Sequence, residues 1–475
     1  MPAIVSISPQ PGHPYNAHFL HRNLLRLSMP RRDEWWSTFV HQDYWEPESP
    51  VRRLVEWAEI DGVPAALTEE SVFLMGTAIA WFLTSSNRFL RDRATKALVR
   101  IFTNRLLDLR RLLESFESVD DLYVQERLAA VAYGCAMRST DADGLGELAL
   151  WCYRSFFEKT PPPHILLRDY ARGVVDLTLN KGLDITIDRK RIEPPYGSKW
   201  PRSIPSAETL KPLGQWTEDS KLHVSQRAIY YSAMSGGDFD RYVIGTNSGS
   251  FDWVKLRLGK PAPPSPAASR DKLLSTLSAD QHSLWNAYDE ARLQYLAAPI
   301  QLFDHTEGFR FTRSSELQAV METAWVRLTG TLDRKQRQLL EHASQTEYDS
   351  SRQRAFDLGL IQRFIFNRVL ELGWTADLFG EFDKYADSHG RHFRDAHKSE
   401  RIGKKYQWLA YHEVLARIAD NFVFAETWSH KDLDYQGPWQ VHARDIDPSL
   451  TLVKIPEHKR GSTVAPWWPP RGPTT

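Results

Sequence analysis

The sequence is poor in cysteine: Cys135 and Cys152 are the only thiols in 475 residues. Two cysteines exclude a disulfide framework and a four-thiolate metal site. They suit a reducing, cytoplasmic setting. An excess of one charge is also lacking. Sixty Lys and Arg balance sixty Asp and Glu, for a formal net charge of zero with His neutral. A general nucleic-acid binder carries a basic excess, so nucleic acid is not the expected partner. No run approaches the ~18 consecutive apolar residues of a membrane span. Met1 to Gln10 holds no basic stretch followed by an apolar one, so neither a membrane partner nor a secretory signal is expected.

Several catalytic signatures are missing as well. Gly259-Lys260 runs into Pro261 and Gly403-Lys404 into Lys405, so neither completes a phosphate-binding loop. There is no Gly-x-Gly-x-x-Gly and no Gly-x-Ser-x-Gly. His412-Glu413 opens the zincin pattern, but Ala416 stands where the second histidine belongs. His13, His18 and His21, and His389, His392 and His397, have helical spacings without a complementing ligand set, and are read as surface or helix-end histidines. Cys135 and Cys152 lie in apolar helical stretches and are read as buried structural thiols. No cofactor and no metal are expected, and the chain is read as non-catalytic.

Aromatic residues are abundant, with 17 Trp, 17 Tyr and 22 Phe. Apolar spacing gives the fold class: mainly α. Leu90, Ala94, Ala97, Leu98, Ile101, Phe102, Leu106, Leu109, Leu113 and Phe116 form one stripe over Asn87 to Ser118, with a break near Asn104. A loose repeat follows. Arg91-Asp92, Glu126-Arg127 and Arg168-Asp169 each introduce an Ala-containing helix at intervals near 40 residues, as in HEAT-like helical pairs of a solenoid. An irregular helical bundle is the alternative. Pro194 to Pro201 cannot be helix. Arg241 to Ile244 and Phe251 to Leu258, separated by Gly245, Asn247, Ser248 and Gly249, suggest a hairpin. Pro261 to Pro266 reads as a linker. From Ser269 to about Trp428 the pattern is helical again, and from Lys431 it is irregular and rich in Trp and Pro. The expected division is 1–193, a helical repeat block; 194–268, an irregular α+β insert with linker; 269–430, a second helical block; and 431–475, an irregular tail.

Two places hold candidate binding residues. Arg401, Lys404, Lys405, Tyr406 and Trp408 cluster at a helix start, where a phosphate, nucleotide or protein contact is expected. Arg444 and Asp445 form the second. The helix from Arg401 to Ala425 is apolar on most sides and carries a stripe of Glu413, Arg417 and Asp420, read as structural ion pairs, with Glu413 and Arg417 at i,i+4 spacing. The same stripe is the best candidate for an active site, because buried charge is costly unless paired or functional.

Several strings taken together resemble one family: His164 to Arg172, Pro194-Pro195-Tyr196 with Ser198 and Trp200-Pro201, Gly237-Asp238-Phe239 with Arg241-Tyr242, Glu400 to Trp408, Arg444 to Pro448, and Trp467-Trp468. The set resembles the C-terminal helical region of large bacterial antiviral STAND NTPases of the AVAST type, over about Asp120 to Trp468. That resemblance implies a sensor of helical repeats that binds a protein ligand, such as a phage protein, and relays binding to an NTPase and effector. The effector and P-loop ATPase of that family have no counterpart in this sequence, which implies a partner chain or a longer protein of which this is the C-terminal part. Two other readings stay open: a helical hydrolase or nuclease with an unrecognised site, and a constitutive protein–protein interaction scaffold.

Overall fold

Apolar residues three and four apart, introduced by capping side chains, make helix the dominant element. The computed structural model describes residues 1–60, 67–214, 223–245, 254–257, 266–305, 308–343, 357–390, 400–425, 432–433 and 444–449. Helices of nine residues or more are numbered here in chain order. They are α1 (Ala17–Leu25), α2 (Pro50–Ala58), α3 (Glu69–Phe82), α4 (Arg88–Phe102), α5 (Leu106–Ser115), α6 (Leu122–Arg138), α7 (Ala142–Cys152), α8 (Ile165–Asn180) and α9 (His223–Met234). Then follow α10 (Pro266–Leu274), α11 (Ala279–Ala297), α12 (Ser315–Thr331), α13 (Arg334–Ala343), α14 (Leu358–Glu371), α15 (Ala376–Gly390) and α16 (Ile402–Asn421). Thr68, Asn87, Asp121, Asp141 and His164 each accept a first-turn backbone amide through the side chain, which sets the starts of α3, α4, α6, α7 and α8.

The chain forms two units. One comprises residues 1–250, 357–421 and 434–475, and the other residues 251–356 and 422–433. The expected block 269–430 is therefore divided: α11 to α13 belong to the second unit, while α14 to α16 belong to the first. Helical periodicity reports which face of a helix is buried, not which helices share a core.

In the first unit, α4, α6 and α8 lie side by side, and α3, α5 and α7 form a second row against them. The expected break in the Asn87–Ser118 stripe separates α4 from α5 at Thr103, Asn104 and Arg105. Both cysteines are free and buried. Helix α16 packs on α6, α8, α9, α14 and α15, and sixteen of its twenty residues are buried. Six residues near the C-terminus, 444–449, run without regular structure over α4, α6 and α8; Trp467 and Trp468 lie outside the described residues.

The second unit packs α10 to α13 around Leu273, Trp285, Tyr288, Leu328, Leu332 and Leu340. Strands β2 (Gln301–His305) and β3 (Gly308–Thr312) form an antiparallel pair. Strands β1 (Val254–Arg257), β4 (Phe422–Ala425) and β5 (Asp432–Leu433) form an antiparallel sheet in the order β1-β4-β5. The expected hairpin is thus corrected. Asp240–Ile244 is a wide helical turn that ends on Gly245 in the left-handed conformation, φ 73°. Val254–Arg257 is a strand, but its partner is Phe422–Ala425, far along the chain. The run Pro261 to Ser265 lies outside the described residues.

The start of α16 shows how this helix is held. Asp383 of α15 accepts the amides of Ile402 (2.6 Å) and Gly403 (3.0 Å) and the indole N–H of Trp374 (3.1 Å). Gly403 makes this approach possible, since a Cβ there would meet Ile229 at 2.1 Å and the Asp383 carboxylate at 2.9 Å. Replacing Asp383 by Ala leaves three buried donors without their acceptor, and the variant is expected to lose about 2–4 kcal/mol in urea unfolding. A loss below about 0.5 kcal/mol, the scale of an ordinary surface substitution, refutes this role.

Candidate functional site: a buried charge network

Two of the three charged pairs of the expected repeat meet in space, and the third is joined to them through Arg444 and Asp445. Their helices stand side by side, and each pair lies near the start of its helix. Arg91 of α4 reaches Glu126 of α6 at 2.9 Å, and Arg127 of α6 reaches back to Asp92 of α4 at 3.1 Å. The two pairs therefore cross. Asp445 joins them, 2.5 Å from Arg127 and 3.8 Å from Arg91. Arg444 pairs with Asp169 of α8 at 2.5 Å, and its guanidinium lies over the rings of Tyr133 and Tyr170. Arg168 turns the other way, to Asp420 of α16 at 3.0 Å. Burial pushes the Glu126 carboxyl up, against the pull of Arg91. Burial also works against the Arg127 guanidinium, yet Asp445, Glu126 and Asp92 carry it above its ordinary range.

Helix α16 supplies the other charges. Lys405 is fully buried, and its ammonium donates to Asp33 (2.8 Å) and Asp121 (2.7 Å). Asp33 opens a wide turn, Asp33–Ser37, in which the Thr38 amide bonds to the Asp33 carbonyl. Burial raises Asp33, with Lys405 opposing and Asp121 adding to it. Burial acts on Asp121 too, but Lys405 and Arg32 outweigh it and hold that carboxyl below its usual range. One ammonium thus serves two carboxyls of unequal acidity.

Further along α16, Glu413 is held from both sides, by Arg368 at 2.8 Å and by Arg417 at 2.7 Å. The latter is the i,i+4 pair that the spacing suggests. With Ser203, Asn367 and Glu371 these three line a cleft of about 230 Å³. Asp420 accepts from Arg168, from the amides of Tyr196 (2.8 Å) and Ser198 (2.9 Å), and from the Ser198 hydroxyl (2.5 Å). It fastens the proline-rich segment after Pro194 to the helices.

The residues expected as a contact at the start of α16 are used internally. The amides that would greet an anion are already capped by Asp383. Lys405 points inward, and Tyr406 is buried against Phe379. Trp408 packs on Phe239 and Tyr411. Arg401 and Lys404 lie 3.5 and 3.3 Å from Asp238. Burial works against the Asp238 carboxylate, but Lys404, Ser232 and Arg401 hold it below the usual range. Arg444 and Asp445 likewise bind the protein's own helices. Sequence reasoning missed Asp33, Asp121, His164 and Asp383. A signal existed for Asp121 alone, as an Asp directly before the apolar run of α6.

Glu126, His164 and His412 also converge, with one ligand atom of each within 4.8 Å of the others and all three buried. This chemistry does not suit a metal ion. His164 Nδ1 accepts the Leu167 amide at 3.2 Å, so the proton of its neutral ring is on Nε2. Nε2 is the atom that faces Glu126, at 3.9 Å. A metal would need the lone pair that this tautomer lacks there. Arg91 and Arg127 on Glu126 add positive charge beside any cation. Burial, with Arg91 assisting, pulls His164 down to about 3, so the ring is neutral.

Two predictions follow from this geometry. Lys405→Met strands Asp33 and Asp121 and is expected to cost about 3–5 kcal/mol in urea unfolding. Lys405→Met with Asp33→Asn and Asp121→Asn is expected to recover most of that; equal losses in both variants refute the pairing. The second concerns pH. Burial pulls His41 down to about 4 and His164 to about 3. Both bind protons more readily when unfolded, so their contribution is complete above about pH 6.5 and is lost as pH falls toward the folded values. His41→Asn is expected to reduce the slope of stability against pH between about 6 and 5 by roughly 1 kcal/mol per pH unit. An unchanged slope refutes it.

The chain matches no family model, no curated protein and no solved structure.

Proposed function

We propose that this chain is the recognition module of a bacterial anti-phage defence system. It binds a protein ligand, such as a phage component, and relays binding to an NTPase and effector in a partner chain or in a further part of the same protein. On this reading α3 to α8 are HEAT-like helical pairs, and the module works in the cytoplasm. No helix among the described residues is long and apolar enough to cross a membrane.

One observation carries the reading. The strings that resemble the antiviral sensors bond to one another across the chain. Arg444 and Ile446 bind Asp169 and Tyr170. Arg168 lies over the Tyr196 ring, 5.0 Å from its centre. Arg401 and Lys404 bind Asp238. These residues tie the helices to one another, and the ligand is read by side chains that the ties leave exposed. Tyr242, 83% exposed, and Trp35, 67% exposed, are large aromatics of the kind that anchor protein interfaces.

The cleft at Glu413 favours a second reading, a helical hydrolase or nuclease, because it joins charged groups to an accessible space. A tagged pull-down from the native host, with and without phage infection, separates the readings. Co-purification of a phage protein with a P-loop NTPase in infected cells alone is the expected result, and Tyr242→Ala or Trp35→Ala is expected to reduce the captured ligand about tenfold. Partners unchanged by infection favour a scaffold. Turnover by the pure chain that Glu413→Ala abolishes without unfolding it favours the enzyme.

A further inference from the structure

Residues 444–449 are bound to the helices as a peptide ligand is bound. The Asp445 carboxylate enters a niche between two buried arginines, Arg91 and Arg127. Ile446 is buried. Three successive elements of the helical row read the backbone. Arg88 donates to the Asp445 carbonyl (3.2 Å), Tyr170 to the Ile446 carbonyl (3.0 Å) and Arg138 to the Ser449 carbonyl (3.0 Å). Gly134 of α6 lets the chain come close, since a Cβ there would meet the Pro448 carbonyl oxygen at 2.5 Å. Main-chain hydrogen bonds with one charged and one apolar niche are the ordinary means of recognising an extended segment.

The attachment is also of a kind that can be exchanged. Without Asp445, the groove still holds Arg91 and Arg127 against Asp92 and Glu126, so its charges balance. Asp447 is used within the segment itself, accepting from the amide and hydroxyl of Ser449. Two apolar side chains, Ile446 and Pro448, are buried among these contacts, and the rest of the hold is ionic and polar.

We propose that the groove across α4, α6 and α8 is a peptide-recognition site occupied in cis by residues 444–449, and that it takes in trans an extended segment of a partner protein in which an acidic residue precedes an aliphatic one. This rests on the recognition-module reading and names the place and chemistry of binding. The partner segment replaces Asp445 between Arg91 and Arg127 and Ile446 in its niche, and residues 444–449, the strap, are released.

The test uses the full chain and a fluorescein-labelled peptide of its own residues 441–450, Val-His-Ala-Arg-Asp-Ile-Asp-Pro-Ser-Leu. Asp445→Asn with Ile446→Ser weakens the strap, and this variant is expected to bind the peptide at least about tenfold more tightly than the wild type, whose own segment competes at high effective concentration. Adding Gly134→Ala or Arg138→Ala to it is expected to remove that gain. Equal binding by wild type and strap variant, or binding indifferent to Gly134→Ala, overturns the proposal. Hydrogen exchange on the wild type guards against a misfolded variant. The amides of Ile446, Asp447 and Ser449 are expected to exchange faster as salt rises from about 0.1 to about 1 M, where the screening length falls from roughly 10 to 3 Å, while α4, α6 and α8 stay protected. Exchange of the segment only together with those helices makes it a permanent part of the core and also overturns the proposal. Should the groove fail while the pull-down still captures an infection-dependent ligand, recognition stands and lies elsewhere on the surface.

Discussion

The requirement that a buried charge find its opposite governs this protein. Helix α16 carries Lys405, Glu413 and Asp420 through the interior of the first unit, and each reaches a different part of the chain: Asp33 and Asp121, Arg368, and Arg168. Apolar contact would hold α16 in many rotations. Charge restricts it to one, because turning the helix by a single residue would strand every group at once. Such pairs add little net stability over a well-packed apolar core, but a partner left alone is costly. The network thus specifies an arrangement more than it strengthens one.

The helices themselves were largely legible. Steps of three and four between apolar residues placed α4 and α5 and the break between them. Arg91-Asp92, Glu126-Arg127 and Arg168-Asp169 each lie near the start of one of three adjacent helices, α4, α6 and α8. What a local pattern leaves open is pairing. Nothing around Lys405 in sequence points to Asp33, which is 372 residues away. Nothing near Val254 points to Phe424. The run Tyr242-Val243-Ile244 has the β-branched character of a strand, yet it closes a helical turn, where the left-handed Gly245 provides the exit.

The basic, aromatic string at the start of α16 shows how composition can suggest a surface that folding turns inward. A lysine-rich helix start is an anion site only while its amides are free and its side chains reach water. Here an aspartate of the protein fills the first role and Lys405 fails the second. Arg401 and Lys404 of the same string find their counter-charge on Asp238, so this part of the chain is one half of an internal contact.

The separation of partners along the chain has a consequence for biosynthesis. Asp121 must wait for Lys405, 284 residues later. At the usual ~5–20 residues per second, that is about 15–60 s of synthesis. Arg127 meets Asp445 later still, but holds Asp92 and Glu126 in the meantime. During this interval Asp33 and Asp121 stand without the ammonium that they share, and burying them unpaired is costly. The seat of α16 against Asp33 and Asp121 is therefore the part of the interior that is completed late, and it stays hydrated until Lys405 emerges.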